Sequence, residues 1–451
     1  MFVKRNSVRR GIEHAHTLAR LWRHGTASAE SLRRFQIRKL RVLVAHCLAT
    51  SVVYRQHWRQ ASLDSVEIRA SEDIETLPPI AKDDLRARPL TQTLTTAANP
   101  SRLYRHTTSG SSGQPFTIYR SAREEHLLNC FRLRAYHAAG LRLFDRLARL
   151  HQPPLDEVER RWPGRILQAV GIHAEEALDG LGSPADTIER LAGMGADVVC
   201  GYPSTLRHAA AWMHEHAPRR VRPRLVFSGG EVLDAQARRT IEDAFGAPVR
   251  DFYGAHEFNL LAWHCPHGDC YHVCDDNVVV EVLGDDGHPV ACGDVGEVVA
   301  TALHSYTMPF VRYRTGDLAV RGADACSCGA PFSTLRSIEG RTVDYLHLPG
   351  GRRVHPYVIT RWIAEREADW VFQHQIVQTE ADRVRLSILA SRTPRKADLE
   401  RLRAVGASVV GDDVRFELGV VDQLPRPARG KFHPYVICVT NATGASGVSG
   451  G

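Results

Sequence analysis

A serine- and glycine-rich segment at residues 107–115, TTSGSSGQP, has the composition of a phosphate-binding loop. Gly110 and Gly113 allow backbone N–H groups to converge, and the neighbouring hydroxyl groups add further donors, which suits an anionic phosphate. The segment is not a Walker loop, because the Gly-Lys-Ser or Gly-Lys-Thr sequence is missing. On its own, it is equally well interpreted as a flexible loop.

Two further segments place glycines and a carboxylate directly after predicted strands. Residues 227–231 read FSGGE, and residues 251–257 read DFYGAHE. In α/β proteins, ligands bind at the carboxyl ends of the strands. Glu257 could hold Mg²⁺ through a carboxylate oxygen, and Tyr253 could stack on a base.

Two segments nearer the C-terminus complete this series. Residues 309–317 read PFVRYRTGD, and Asp317 could accept hydrogen bonds from a ribose diol. Gly340-Arg341, followed by Asp344, lies where the composition of the chain changes. Each segment alone is weak evidence, whereas all of them in this order indicate one nucleotide site.

Lysine is scarce in this chain, which makes each lysine informative. Of the 58 basic residues, five are lysines and the rest are arginines. Residues 426–432, RPARGKF, place one of them after a glycine in a predicted loop. The lysines are Lys4, Lys39, Lys82, Lys396 and Lys431.

Two groups of cysteines have spacings typical of a metal site. In a cytosolic protein, clustered cysteines indicate metal binding rather than disulfides. A tetrahedral zinc site needs four nitrogen or sulfur ligands. His272 and Cys274 are weaker candidates, because His272 could face an acyl pocket, and thiols without metal are the alternative. The candidate ligands are Cys265, His267, Cys270, Cys326 and Cys328.

Composition excludes several classes of protein. Hydrophobic residues make up 43% of the 451 residues and charged residues 24%, which excludes disordered chains, collagens and disulfide scaffolds. The net charge of +7 is mild for this length. Residues 1–10 are basic but lack the apolar core of a secretory signal, and residues 40–54 are too short to span a membrane. A cytoplasmic location is expected, with a transit peptide as the alternative.

The pattern of apolar residues predicts an α/β protein with a helical beginning. Residues 1–75 have helical spacing, and short apolar strands then alternate with helices as far as residue 340. Beyond residue 341 the pattern is that of a compact α+β unit. Buried parallel strands are predicted at 197–200, 224–228 and 248–253, antiparallel strands at 277–283 and 295–303, and a flexible tail at 443–451.

Taken together, these segments resemble the signatures of the acyl- and aryl-adenylate-forming superfamily, most closely its phenylacetate–CoA ligase-like branch. The resemblance covers nearly the whole chain, from LPPIAKDDL at residues 77–85 to Gly430-Lys431. It implies a large multi-layer adenylation domain over residues 1–340 and a small mobile α+β lid over residues 341–440 that carries the catalytic lysine. Residues 441–451 would be a tail.

The resemblance also implies a reaction in two steps. A carboxylic acid would attack the α-phosphate of ATP to give an acyl-adenylate, and the thiol of CoA or of a carrier protein's phosphopantetheine would then displace AMP. Glu257 would hold Mg²⁺, and Lys431 would stabilise the meeting of two anions. Asp317 and Arg341 would bind the ribose.

The implied binding residues fall into two sets. The ATP-binding set is Thr108, Ser109, Gly110, Ser111, Ser112, Gly113, Ser228, Gly229, Gly230, Glu231, Tyr253, Gly254, Ala255, Asp317 and Arg341. The acyl pocket would be lined by Tyr136, Tyr202, Pro203 and His256. A small pocket of this composition favours an aryl or short acid over a long fatty chain.

Three positions depart from the family's pattern. Gln114 stands where many relatives have lysine in the phosphate loop, so positive charge there must come from elsewhere. Ala255-His256 replaces a common hydroxyl residue, and Val343 occupies a hinge position often held by aspartate. The metal-binding Glu257 and the catalytic Lys431 are both retained, which indicates an active enzyme.

Two other functions are compatible with parts of the sequence. An adenylating enzyme could transfer the acyl group to an amine or alcohol instead of a thiol. A zinc-stabilised nucleic-acid-binding protein would use the arginine-rich residues 1–43, but basic residues interleaved with aromatic ones are missing. The expected partners are therefore a small carboxylic acid and CoA or a carrier protein, with no nucleic acid and no membrane.

Overall fold

The structure is a computed structural model that divides into two compact units. One unit comprises Met1–Leu233 and Thr240–Glu339, and the other comprises Asp234–Arg239 and Gly340–Gly451. The phosphate loop 108–113, Gln114, Val343, Asp344 and Lys431 lie outside the described residues. Those are 16–63, 65–107, 116–151, 172, 174–180, 182–341, 346–354, 356–367, 370–424 and 435–437.

Helices dominate the described part of the first 75 residues, as predicted. The first long helix begins after Ser28, whose hydroxyl oxygen accepts a hydrogen bond from the backbone N–H of Ser31. None of the described helices has the length and apolar composition needed to span a membrane. Residues 16–25 are also helical. The α-helices before residue 340 whose bounds both lie in the described residues are α1 (Ala29–Thr50), α2 (Val52–Gln60), α3 (Lys82–Arg86), α4 (Leu90–Thr93), α5 (Ala122–Ala138), α6 (Pro184–Met194), α7 (Pro203–His216) and α8 (Ala235–Phe245).

The strands of the first unit form a two-stranded hairpin and one large sheet. The hairpin pairs β1 (Tyr104–Thr107) with β2 (Thr117–Arg120). The other strands are β3 (Leu147–His151), β4 (Glu175–Asp179), β5 (Val198–Gly201), β6 (Leu225–Gly229), β7 (Val249–Tyr253), β8 (Ala262–His264), β9 (Tyr271–Val273), β10 (Val278–Leu283), β11 (Val295–Ala302), β12 (Tyr313–Arg321) and β13 (Thr334–Arg341).

The large sheet combines a parallel half with an antiparallel half. Within the part of the chain that the structure describes, its eleven strands lie in the order β10-β11-β12-β13-β9-β8-β7-β6-β5-β3-β4. Strands β5, β6 and β7 pair in parallel and are mostly buried, which confirms the three parallel strands predicted there. The antiparallel pairing of β10 with β11 is also confirmed.

The second unit is a small α+β fold around its own core. Trp370, Ile376, Leu386 and Leu402 are fully buried in that core. Its four-stranded sheet has the order β18-β17-β16-β19. The elements are β14 (Leu346–His347), β15 (Arg353–Val354), α9 (Tyr357–Arg366), β16 (Val371–Glu380), β17 (Arg383–Ala390), α10 (Lys396–Val410), β18 (Arg415–Val420) and β19 (Tyr435–Ile437).

Candidate active site

The carboxyl ends of β6 and β7 bring two of the predicted segments together. The parallel register aligns Ser228 with Asp251 and Gly229 with Phe252. A Cβ atom on Gly229 would lie 2.7 Å from the carbonyl oxygen of Phe252, so only glycine fits at this point of the sheet. Residues 227–231 and 251–257 therefore share one edge of the sheet, as the sequence predicted.

A buried carboxylate ties these strand ends to a third strand. Asp251 accepts hydrogen bonds from the hydroxyl groups of Ser228 at 2.5 Å and Tyr271 at 2.8 Å. All three side chains are buried, so the carboxylate is satisfied inside the protein rather than facing a ligand. Tyr271, on β9, was not predicted, because no local pattern links it to a residue twenty positions earlier.

Tyr253 and Asp317 lie in direct contact. The hydroxyl group of Tyr253, the last residue of β7, donates a 2.8 Å hydrogen bond to Oδ2 of Asp317 on β12. Gly254 follows, and a Cβ atom there would lie 2.3 Å from the carbonyl oxygen of Asn259. The two residues that the sequence assigned to the base and the ribose are thus neighbours, which is the arrangement that a single nucleoside needs.

Glu257 lies deeper and has two donors. The hydroxyl group of Tyr313 donates a 2.7 Å hydrogen bond to Oε1, and Nζ of Lys82 lies 3.3 Å from the same oxygen. Burial and the negative charge of Glu257 raise the pKa of Tyr313, so its hydroxyl group stays a donor. Neither contact was predicted, although Lys82 belongs to the LPPIAKDDL segment.

The chemistry of Glu257 fits a Mg²⁺ site with a single protein carboxylate. Mg²⁺ is commonly held by one or two carboxylates, with water and substrate phosphates as its other ligands. The Glu257 side chain is 5% exposed, and its second oxygen has no contact among the hydrogen bonds and ion pairs of the described residues. A metal bridging to a phosphate could therefore bind there without displacing Tyr313.

The predicted acyl-pocket residues lie on α5, on α7 and after β7. Tyr136, on α5, stacks on Phe227 with ring centroids 5.0 Å apart and meets the edge of Phe252 at 4.7 Å. Tyr202 is half-buried just before α7, and burial raises its pKa. Pro203 is the first residue of that helix.

Glu231 and His256 make contacts other than the predicted ones. The Glu231 carboxylate accepts a 3.0 Å hydrogen bond from the backbone N–H of Ser204 and so joins the end of β6 to α7. The backbone carbonyl of His256 accepts a hydrogen bond from the guanidinium of Arg120.

Three more of the predicted ATP-binding residues lie at or just after the ends of strands. Arg341 is the last residue of β13. Ala255 and Gly230 lie in the loops after β7 and β6.

Three cysteines and one histidine form a compact cluster. The Sγ atoms of Cys265, Cys326 and Cys328 and a ring nitrogen of His272 lie within 4.8 Å of one another. Cys270 lies beside this group, with its Sγ atom 3.6 Å from that of Cys326. The histidine that lies in this cluster is His272, which the sequence ranked as a weaker candidate. The backbone N–H of His267, the predicted ligand, contacts the Sγ atom of Cys265.

The donor set and spacing of this cluster fit zinc. Tetrahedral zinc separates its sulfur and nitrogen ligand atoms by about 3.5 to 3.8 Å. The Cys265–Cys326 Sγ distance is 3.7 Å, and Nε2 of His272 lies 3.3 Å from Sγ of Cys328. Burial alone would raise the pKa of Cys326, but hydrogen bonds from the backbone N–H of Cys328 and from neighbouring thiols lower it. Burial raises the pKa of Cys265 to about 11, so a metal bound here would have to displace the proton of that thiol.

Comparisons with known sequences identify relatives over most of the chain. Residues 346–437 match the family described as the CapK C-terminal domain. A phenylacetate-coenzyme A ligase of Thermus thermophilus is 26% identical over 345 residues, which cover 72% of this chain and 74% of that protein. Protein CapK of Staphylococcus aureus is 23% identical over 375 residues, which cover 80% of this chain and 79% of that protein.

Solved structures share the fold and confirm the predicted fold class. A 2-hydroxyisobutyryl-CoA ligase in the postadenylation state matches with a TM-score of 0.73 and 22% identity, covering 92% of this chain and 91% of that one. An anthranilate CoA ligase in complex with anthranoyl-AMP matches with a TM-score of 0.53 and 18% identity, covering 79% and 72%. In its ordered motifs, its fold and its sequence relatives, this chain is similar to the phenylacetate–CoA ligase-like branch of the adenylate-forming superfamily.

Proposed function

We propose that this protein is an ATP-dependent, AMP-forming ligase that activates an aryl or short acyl carboxylic acid and transfers it to a thiol, either CoA or a carrier protein's phosphopantetheine. One observation carries the proposal. Tyr253, at the end of β7, contacts Asp317 on β12, and Glu257 contacts the first residue of the same strand β12. Base, ribose and phosphate contacts would then follow one another along a single nucleotide. The sequence relatives named as CoA ligases support the same reaction.

In the first step, the chain has to bring two anions together. A carboxylate oxygen of the acid attacks the α-phosphorus of ATP, a P–O bond forms, and pyrophosphate leaves. Lys431 would place an ammonium between the carboxylate and the α-phosphate, where a compact point charge serves both. Mg²⁺ held by Glu257 would neutralise phosphate charge when bound.

In the second step, the thiol attacks the acyl carbonyl carbon, a thioester forms, and AMP leaves. Residues 341–440 would act as a lid that brings Lys431 to the site for adenylation and withdraws it for thioester formation. Asp317 and Tyr253 would keep hold of the AMP portion during both steps, because their contacts involve only the nucleoside.

The acid would be bound against the rings of Tyr136 and Phe252, both of which pack on the fully buried Phe227. Offset or edge contacts of these rings with a further ring are favourable. This supports an aryl or short acid rather than a long alkyl chain. The acids named for relatives, phenylacetate and anthranilate, are aryl acids, whereas 2-hydroxyisobutyrate is short.

An exchange assay tests the reaction and the acid together. ATP–pyrophosphate exchange is measured with a panel containing phenylacetate, anthranilate, 2-hydroxyisobutyrate, benzoate and straight-chain fatty acids of 8 to 16 carbons. We expect exchange to depend on an aryl or short acid. Exchange only with long-chain acids would contradict the proposed substrate class, and no exchange with any acid would contradict adenylation.

A separate measurement identifies the acceptor of the acyl group. Mass spectrometry of products formed with CoA, with a phosphopantetheinylated carrier protein or with neither should show a thioester and AMP in one of the first two reactions. Transfer to an amine or alcohol remains the second candidate. It would be supported by stable accumulation of acyl-AMP in the presence of both thiols.

We also propose that Cys265, Cys326, Cys328 and His272 hold a structural zinc ion. The cluster joins β9 to the segment before β13, and the metal would fix these two segments to each other. No base or open coordination position is needed for this role. Cys270 lies close enough to Cys326 to exchange with one of the four ligands.

Metal analysis of purified protein tests the zinc proposal. Wild-type protein should contain about one zinc ion per chain, because four donor atoms lie within 4.8 Å of one another. The Cys326→Ser variant should lose most of it, and Cys292→Ser, which changes an exposed cysteine elsewhere, should retain it. Equal zinc content in both variants would contradict the assignment of these ligands.

A further inference from the structure

Lys82 is held beside Glu257 by its backbone as well as its charge. Ile80, two residues earlier, forms a parallel bridge with Tyr313, and two 2.9 Å hydrogen bonds join it to Arg312 and Arg314. Lys82 then begins α3, and its ammonium lies 3.3 Å from Oε1 of Glu257. The side chain is 27% exposed, against 5% for Glu257, so Lys82 is the more accessible member of the pair.

The same ammonium lies close to the base of the phosphate loop. Strands β1 and β2 flank residues 108–116, and their register pairs Thr107 with Thr117. Phe116 comes directly before β2, and Nζ of Lys82 lies 5.6 Å from the centre of its ring. Lys82 is therefore positioned between the hairpin that carries the loop and the carboxylate proposed to bind the metal.

The loop itself has no positive charge. Residues 107–115, TTSGSSGQP, contain neither lysine nor arginine, and residue 114 is glutamine. ATP brings about four negative charges to this region, so a cation from another segment is needed. Arg120 is also near Glu257, but its guanidinium is already bound to Glu125 and to the carbonyl of His256.

We propose that Lys82 binds the β- or γ-phosphate of ATP and supplies the charge that the phosphate loop lacks. This proposal rests on the proposed function. Without nucleotide, the ammonium pairs with Glu257. With Mg²⁺ and ATP present, Glu257 would hold the metal and Lys82 would turn to the phosphate oxygens. The pair therefore keeps both side chains in place until the substrate arrives.

Direct binding of two nucleotides tests this role without depending on the acid. Isothermal titration calorimetry with Mg²⁺ is used for ATP and for AMP, which lacks the β- and γ-phosphates. Lys82→Gln should weaken ATP binding by about tenfold to a hundredfold, the range for a lost charged hydrogen bond. AMP binding should stay within about twofold, and Lys82→Arg should retain most of the ATP affinity because it keeps the charge.

The control and the contradictory outcomes separate this role from a structural one. Lys396→Gln removes an exposed lysine from the second unit and should bind both nucleotides as wild type does. Wild-type-like ATP binding by Lys82→Gln, or an equal loss for ATP and AMP, would overturn the proposal. If wild-type protein binds ATP but activates no acid, the result contradicts the proposed ligase function and leaves the proposed role of Lys82 in ATP binding intact.

Discussion

The Lys431→Ala variant is expected to lose ATP–pyrophosphate exchange by about a hundredfold to a thousandfold, the usual effect of removing one group that stabilises transition-state charge. In the proposed first step, the attacking carboxylate and the α-phosphate repel each other, and the ammonium of Lys431 offsets that repulsion. The loss should appear mainly in kcat, because the charge matters most when the two anions meet.

The second step provides an internal control for this variant. Synthetic acyl-AMP supplied with the thiol acceptor bypasses adenylation, so Lys431→Ala should form thioester from it at close to the wild-type rate. Lys396→Ala, also in the second unit, should retain both activities. Normal pyrophosphate exchange by Lys431→Ala would show that the proposed mechanism is wrong.

The Arg134→Met variant is expected to lose about 3 to 5 kcal/mol of unfolding free energy, as when one partner of a buried ion pair is removed. Two guanidinium nitrogens of Arg134 bind the two oxygens of Asp276 at 2.5 and 2.8 Å. The guanidinium also lies 5.0 to 5.6 Å from the ring centres of Phe131, Trp263 and Phe332. Methionine would fill part of the space and leave the carboxylate without this partner.

Urea unfolding monitored by tryptophan fluorescence measures this loss. His24, which also contacts Asp276 at 2.8 Å, cannot replace a bidentate guanidinium. The double variant Arg134→Met/Asp276→Leu should recover part of the stability, because it removes the uncompensated charge. Arg220→Met, which breaks an exposed pair with Glu189, should leave the midpoint unchanged. Equal midpoints for all three variants would contradict the argument.

The same ion pair gives the stability a defined dependence on pH. Burial alone would raise the pKa of Asp276, but the charges of Arg134 and His24 lower it below its ordinary value. A carboxyl group with a lowered pKa stabilises the folded state above its unfolded pKa of about 3.9. That contribution is lost as the pH falls through the lower folded-state value, so wild type and Arg134→Met should converge in acid.

The parallel half of the sheet could be predicted because the local sequence is sufficient to identify each of its strands. Strands β5, β6 and β7 are short apolar runs that each end in a polar or glycine turn, and such runs identify buried strands without tertiary information. Their parallel pairing then places residues 227–231 and 251–257 at one edge. This is why Tyr253 and Glu257 could be assigned to one site from the sequence.

The partners of those residues could not be predicted, because they depend on the order of distant strands. Strand β13 pairs with β9, although β10, β11 and β12 lie between these two strands in the sequence. Lys82 reaches Glu257 only through the bridge between Ile80 and Tyr313, which joins segments more than 230 residues apart. The periodic spacing of apolar residues predicts local secondary structure and not a contact between such distant segments.

The choice between His267 and His272 shows the same limit on a smaller scale. Strand β9 has three residues, too few for an alternating pattern to be recognised. Once it forms, adjacent side chains point to opposite faces, so Tyr271 reaches Asp251 while His272 reaches Cys328. The spacing of the cysteines predicted where the cluster would form, but the geometry of β9 determines which histidine lies in it.

The position of Lys82 next to Glu257 has a practical consequence for chemical labelling. Amine-reactive reagents have only five lysine targets in this chain, plus the terminal amine. Lys396 is largely exposed and can serve as an internal reference, whereas Lys82 is mostly covered and paired with a carboxylate. Peptide mapping after brief acetylation can therefore follow the lysine proposed to bind ATP against a constant standard, in solution and without any substitution.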